Sequence, residues 1–198
     1  MNELAAELSA KVSLNAHLQE HLSVMHSVSA LSEQIERAVR MIEDTLRNGK
    51  KVMFCGNGGS AADSQHLAAE FTGRFVKDRK PLPGLALSTD TSALTCIAND
   101  YSFDEVFSRQ VLGVGQPGDC LLAISTSGNS RNVVRAVEAA RSIGVRTIGL
   151  LGRDGGQLCG ICDLAVVVAS KTTARIQEAH IFIGHTLCAM LEARLGLD

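Results

Sequence analysis

The sequence predicts an α/β fold: a doubly wound, five-stranded parallel sheet flanked by helices on both faces, with a helical extension at the N-terminus. Two observations predict it. Five short runs are near-continuously apolar instead of alternating, as strands buried on both faces are. Amphipathic segments of helical period lie between those runs, so strand and helix alternate. The 198 residues, 45% hydrophobic and 20% charged, suit one domain with a sizeable core. Residues 1–198 are therefore read as a single domain, with N-terminal helices over 1–49 and the sheet core and C-terminal helix over 50–198.

The first fifty residues read as helix because apolar side chains recur three and four apart at Val24, Val28, Leu31, Ile35, Val39, Ile42 and Leu46, before the Asn48-Gly49 stop. Strands are expected at 51–55 (KVMFC), 84–88 (GLALS), 120–125 (CLLAIS), 146–151 (RTIGLL) and 164–169 (LAVVVA), each too short for a helix core. Helices are clearest at 60–75, at 132–144 and over the final segment from Thr173. Right-handed crossovers limit how such a chain can be wound. No internal repeat, low-complexity tract or interdomain linker interrupts it.

Nineteen basic against 21 acidic residues leave a net charge of −2, so no global field gathers nucleic acid or anionic lipid. The N-terminal stretch lacks a basic, then apolar, signal pattern, and no apolar run approaches the ~20 residues of a bilayer span. A cytoplasmic protein is expected. Most of the six cysteines lie in apolar stretches and read as small core residues. Cys159-Gly-Ile-Cys162 is a lone CxxC that precedes an apolar run, and a bland pair of thiols is the simpler reading.

In a doubly wound sheet, ligands sit beyond the carboxyl ends of the strands. The five exits carry GNGGSA (56–61), STDTS (88–92), STSGNS (125–130), GRDGG (152–156) and SKTTARIQ (170–177). Ser125, Thr126, Ser127 and Ser130 cluster hydroxyls where a strand turns into a helix, which suits a phosphate; one of them capping the helix is the simpler alternative. No Walker lysine accompanies the loop. Gly56, Gly58 and Ala61 satisfy a dinucleotide fingerprint only weakly, because the acidic residue it needs would be Asp90, about thirty residues on where about twenty is usual. His66 and Glu70 stand four apart on one helix face, fit for a metal, for acid–base work or for a solvated contact. Gln177 and His185 are eight apart, two turns and about 80° around their helix, with His180 between them as a surface or packed histidine.

These segments resemble the sugar isomerase (SIS) domain family, whose flavodoxin-like sheet carries phosphosugars, and within it the enzymes that isomerise heptose phosphates. GNGGSAADSQHLAAEF, TDTSALTCIAND, FSRQV, GDCLLAISTSGNS, GRDGG and RIQEAHIFIGH follow in the family's order and spacing. The resemblance implies a homotetramer with active sites between subunits and one zinc per subunit. The reaction it implies converts sedoheptulose 7-phosphate to D-glycero-D-manno-heptose 7-phosphate by proton transfer between C1 and C2, towards ADP-heptose and the lipopolysaccharide core. The implied metal ligands are His66, Glu70, Gln177 and His185, with Glu70 as proton-transfer base and His185 as its acid–base partner. Implied substrate contacts are Asn57, Gly58, Gly59, Asn99, Asp100, Ser125, Thr126, Ser127, Ser130 and Gln177.

Some members carry an acidic residue three positions before the glutamine, where this chain has Ala174. Two alternatives stand beside the enzyme: a non-catalytic SIS regulator that binds a protein such as the replication initiator, and an isomerase of another phosphosugar. Glu70, which that regulatory branch lacks, favours the enzyme.

Overall fold

In the computed structural model, which describes residues 3–197 with side chains from residue 13 onward, the five expected strands form one all-parallel sheet. They are β1 (Val52–Cys55), β2 (Gly84–Ala86), β3 (Cys120–Ser125), β4 (Arg146–Gly152) and β5 (Leu164–Val168), in the order β2-β1-β3-β4-β5. The helices are α1 (Glu3–Val28), α2 (Ser32–Arg47), α3 (Gly59–Thr72), α4 (Thr91–Asp100), α5 (Ser108–Val114), α6 (Arg131–Ser142), α7 (Gly156–Ile161) and α8 (Thr173–Leu195). A 3-10 turn at Ser29–Leu31 divides the expected N-terminal helical stretch in two.

The pleat divides the core. Phe54, Leu122, Ile124, Ile148 and Leu150 face α2, α3 and α8, where Ile35, Val39, Ile42, Leu67, Phe71, Ile183 and Leu187 meet them. Met53, Cys55, Leu121, Ala123 and Leu151 face the other way, onto Val111 of α5 and Val133, Val137 and Ala140 of α6. Residues paired across strands, such as Met53 with Leu121, therefore share a face. Every residue of β1 and β3 is buried, as their unbroken apolar text requires. The edge strand β5 alternates buried with half-buried, and β2 is three residues long, with Leu87 and Ser88 already turning away from it.

The strand order fixes where a ligand belongs. From β1 the chain winds outward to β2 and then returns to lay β3 on β1's other side, so the loops leaving β1 and β3 part at the switch point of the sheet.

Candidate active site

The loop after β1 is built around its glycines. Gly58 takes φ 56° and ψ −120°, a conformation that only glycine adopts without strain. A Cβ on Gly59 would collide with the Gln177 amide. That close approach brings the start of α8 onto the first turn of α3. Asn57 is held from the other side: its amide and that of Asn132 exchange hydrogen bonds of 2.8 and 2.9 Å. The pair ties the β1 loop to the first turn of α6 across the switch point. Asn132, buried and polar, is a site-shaping residue that sequence reasoning missed; an asparagine just after the STSGNS loop was the available signal.

The loop after β3 is ordered by its own hydroxyls. Ser125 Oγ accepts from the Gly128 amide at 3.1 Å and lies 3.1 Å from Ser130 Oγ, and Ser127 Oγ accepts from the Asn129 amide at 3.2 Å. Ser130 occupies the N-cap position of α6, yet its side chain makes no capping bond. The capping alternative therefore fails at Ser130. Asp90, by contrast, N-caps α4 through the Ala93 amide, a structural task that removes the acidic residue a dinucleotide reading requires.

Helices α3 and α8 lie side by side and run the same way. Gly59 meets Gln177, Leu67 meets Gly184, and Glu192 accepts from the Phe75 and Val76 amides just beyond α3. Along this seam His66, Glu70 and His185 converge. His66 Nε2 lies 3.1 Å from Glu70 Oε1 and 3.2 Å from His185 Nε2, and one ligand atom from each of the three lies within 4.8 Å of the others. Glu70 and His185 are half-buried and His66 is exposed, so the cluster is open to solvent. Gln177 sits about two turns nearer the helix N-termini, against Gly59, with helical side chains leaning towards it along the seam.

Asn99 and Asp100 end α4, a helix without a buried residue that packs chiefly on the 3-10 turn Phe103–Glu105. Hydrogen bonds from Asn99 and Cys96 hold the Asp100 carboxyl below its ordinary range. Within this chain α4 makes no substantial contact with the α3–α8 seam, so these two residues stand apart from the cluster. His180 is packed in the core. Cys159 lies inside α7 and Cys162 ends it, where burial pushes the Cys162 thiol up to about 12. That supports the bland reading of the CxxC. Asp63, one turn before His66, was also missed; burial raises its carboxyl to about 6, against the opposing pull of His66.

A doubly wound parallel sheet with glycine- and hydroxyl-rich loops at its switch point defines the class of α/β proteins that hold small phosphorylated ligands at their strand ends. The family model described as SIS domain matches residues 16–152. The chain is 54% identical over 182 residues to a phosphoheptose isomerase of Campylobacter concisus, covering 92% of this chain and 96% of the relative. It is 57% identical over 161 residues to one of Rhodospirillum rubrum, covering 81% and 86%. The solved phosphoheptose isomerase of Neisseria gonorrhoeae superposes with a TM-score of 0.89 at 44% identity, covering 93% of this chain and 99% of that one. The chain belongs to the SIS domain family and, within it, to the phosphoheptose isomerases.

Proposed function

We propose that the chain interconverts sedoheptulose 7-phosphate and D-glycero-D-manno-heptose 7-phosphate, an aldose–ketose isomerisation on the route to ADP-heptose and the lipopolysaccharide core. The observation that carries this reading is the meeting of His66, Glu70 and His185 on the seam that begins at the switch-point loops. Ser125, Thr126, Ser127 and Ser130 hold the phosphate. Asn57, Gly58, Gly59 and Gln177 line the sugar's path from that loop to the cluster, with Asn99 and Asp100 as further contacts.

Two imidazole nitrogens and a carboxylate oxygen within a few ångströms form a donor set that zinc would accept; Gln177, which lies against Gly59, is the fourth ligand that the family resemblance implies. Held by these residues, zinc would supply Lewis-acid polarisation of the substrate's carbonyl. Glu70 moves the proton: it takes one from C1 of the ketose and returns it to C2, leaving the aldehyde at C1. Its Oε1 faces His66, while Oε2 has no hydrogen-bond partner among the described residues. One oxygen can thus stay with the cluster while the other carries the proton. His185 shuttles the matching proton between the C2 and C1 oxygens.

The active assembly is a homotetramer with sites between subunits, and the compartment is the cytoplasm. The apolar stripe on α1 and the exposed end of α4, which carries Asn99 and Asp100, support the first. No helix among the described residues is long and apolar enough to cross a membrane, which agrees with the second. We read residues 1–198 as one domain, and the packing of α2 and α8 on one face of the sheet supports this.

A coupled assay with sedoheptulose 7-phosphate, run on chelated and zinc-restored protein, tests the reading. Turnover is expected only with the metal, and Glu70→Gln is expected to assemble normally while losing on the order of 10²–10⁴ in kcat. Turnover surviving rigorous chelation would discard the Lewis acid and keep the isomerase. Near-normal kcat in Glu70→Gln would remove the carboxylate as base.

A further inference from the structure

On the β4 side of the phosphate loop, the exits of β3, β4 and β5 enclose a cleft of about 720 Å³ lined by Ser127, Asn129, Arg153, Asp154, Ser170 and Lys171. The loop from Ser125 to Ser130 carries no cation, whereas a phosphate monoester brings a charge of about −1.5 to −2 at neutral pH. The cations nearest in sequence are committed elsewhere: Arg131 pairs with Asp104 at 3.1 Å and Arg135 with Glu105 at 3.3 Å. Arg153 and Lys171 line the cleft, and neither makes an ion pair among the described residues. Asp154, the one acid on the wall, accepts the Gly156 amide at 3.1 Å within its own turn.

The backbone presents Arg153 deliberately. It has φ 58°, the one non-glycine residue with positive φ among the described residues, a cost that persists where surrounding structure enforces it. Its turn is closed by Gly155 N–H donating to the Gly152 carbonyl at 2.9 Å. That turn is welded to the phosphate loop: Leu158 N–H donates to the Gly128 carbonyl at 3.0 Å and Gln157 N–H to Asn129 Oδ1 at 2.9 Å. Gly128 approaches so closely that a Cβ there would collide with the Gly155 carbonyl oxygen. The two turns are thereby bonded into one unit along the cleft.

We propose that Arg153, assisted by Lys171, is the cationic wall of the phosphate site and sets its preference for dianionic sugar phosphates. The inference rests on the reading that the 125–130 loop holds the substrate's phosphate. The guanidinium offers a planar fork of donors to phosphate oxygens, and Lys171 adds a point charge across the cleft. Both are specificity residues, outside the His66–Glu70–His185 cluster.

The test uses zinc-loaded full-length protein, wild type and the variants Arg153→Gln, Arg153→Gly, Arg153→Lys and Arg153→Gln/Lys171→Gln. Arg153→Gly keeps a residue content with positive φ, which separates loss of charge from loss of the turn. Arg153→Gln and Arg153→Gly are each expected to raise KM for sedoheptulose 7-phosphate and the inhibition constant of inorganic phosphate together by about tenfold. Their kcat should stay within about twofold, and Arg153→Lys should recover part of the loss. The double variant should also flatten the dependence of kcat/KM on ionic strength. Wild-type KM and phosphate inhibition in Arg153→Gly and in the double variant would overturn the proposal. Thermal stabilisation by inorganic phosphate is read in parallel: if wild type turns over no heptulose phosphate yet is stabilised by phosphate in an Arg153-dependent way, the substrate reading fails and the cationic wall stands.

Discussion

His180 lies on α8 between Gln177 and His185, but its ring points into the core, where Nε2 is 3.0 Å from the Leu151 carbonyl oxygen and Nδ1 has no partner. Burial pushes its pKa down to about 4, against a smaller opposing effect of the Leu151 bond. The unfolded chain titrates this residue near the ordinary value of about 6.5. Between these values the unfolded state binds more protons than the folded one, so stability rises with pH through the window and is lost as pH falls. The contribution to the slope is at most about 1.4 kcal/mol per pH unit. Replacing His180→Gln is expected to flatten the fall in melting temperature between pH 6.5 and 4.5. An unchanged slope would place the acid sensitivity in other groups. The placement was legible in outline, because His180 shares its helix face with Ile176, Ile183 and Leu187, all buried. The sequence left it open because exposed histidines break such stripes as often as buried ones extend them.

The seam between α3 and α8 depends on a clamp beyond the cluster. Arg79, in the segment that leaves α3, pairs through Nε with Glu192 Oε1 at 2.6 Å, both side chains 3% exposed. It also donates to the Glu70 and Phe71 carbonyls at 2.7 and 2.8 Å. Burial works to raise the Glu192 carboxyl, but Arg79 and the Phe75 and Val76 amides outweigh it and hold the carboxyl below its usual range. One ion pair thus fastens the last turn of α3 to the last turns of α8 and fixes the register that sets His66 and Glu70 opposite His185. Arg79→Ala strands a buried carboxylate and is expected to cost about 3–5 kcal/mol in chemical denaturation. The pair Arg79→Met/Glu192→Leu should cost less than the single change, since it buries no orphan charge. The strands and long helices were legible from their periods. The seam was not: parallel packing of two helices more than a hundred residues apart leaves no local pattern, and neither Arg79 nor Glu192 stands out among surface-like charges. The short α5 and α7 and the ten-residue α4 were also missed, the first two for want of length and the last because its apolar stripe is only Leu94, Ile97 and Ala98.

The whole chain leaves apolar surface that its own core does not use. On α1, Leu14, Leu18 and Leu22 recur every fourth residue at 68%, 48% and 40% exposure, and Tyr101 and Phe103 beside the end of α4 are 58% and 60% exposed. Scattered exposed leucines need no explanation, but a one-sided stripe on a long helix suits a helix–helix contact. A second copy of the chain is the partner that a symmetric assembly supplies. Under the proposed assembly, Asn99 and Asp100 on α4, which makes no substantial contact with its own chain's α3–α8 seam, would serve a neighbouring site. Leu18→Glu/Leu22→Glu is therefore expected to reduce the mass seen in sedimentation while leaving the far-ultraviolet spectrum unchanged. Isomerase turnover should fall with it, because Asn99 and Asp100 would no longer be delivered to a neighbouring site. Asp100→Asn, tested in the intact assembly, separates the two effects: it should lower turnover without changing mass. A double variant of wild-type mass would move the interface off α1, and one of reduced mass with full turnover would return the complete site to a single chain.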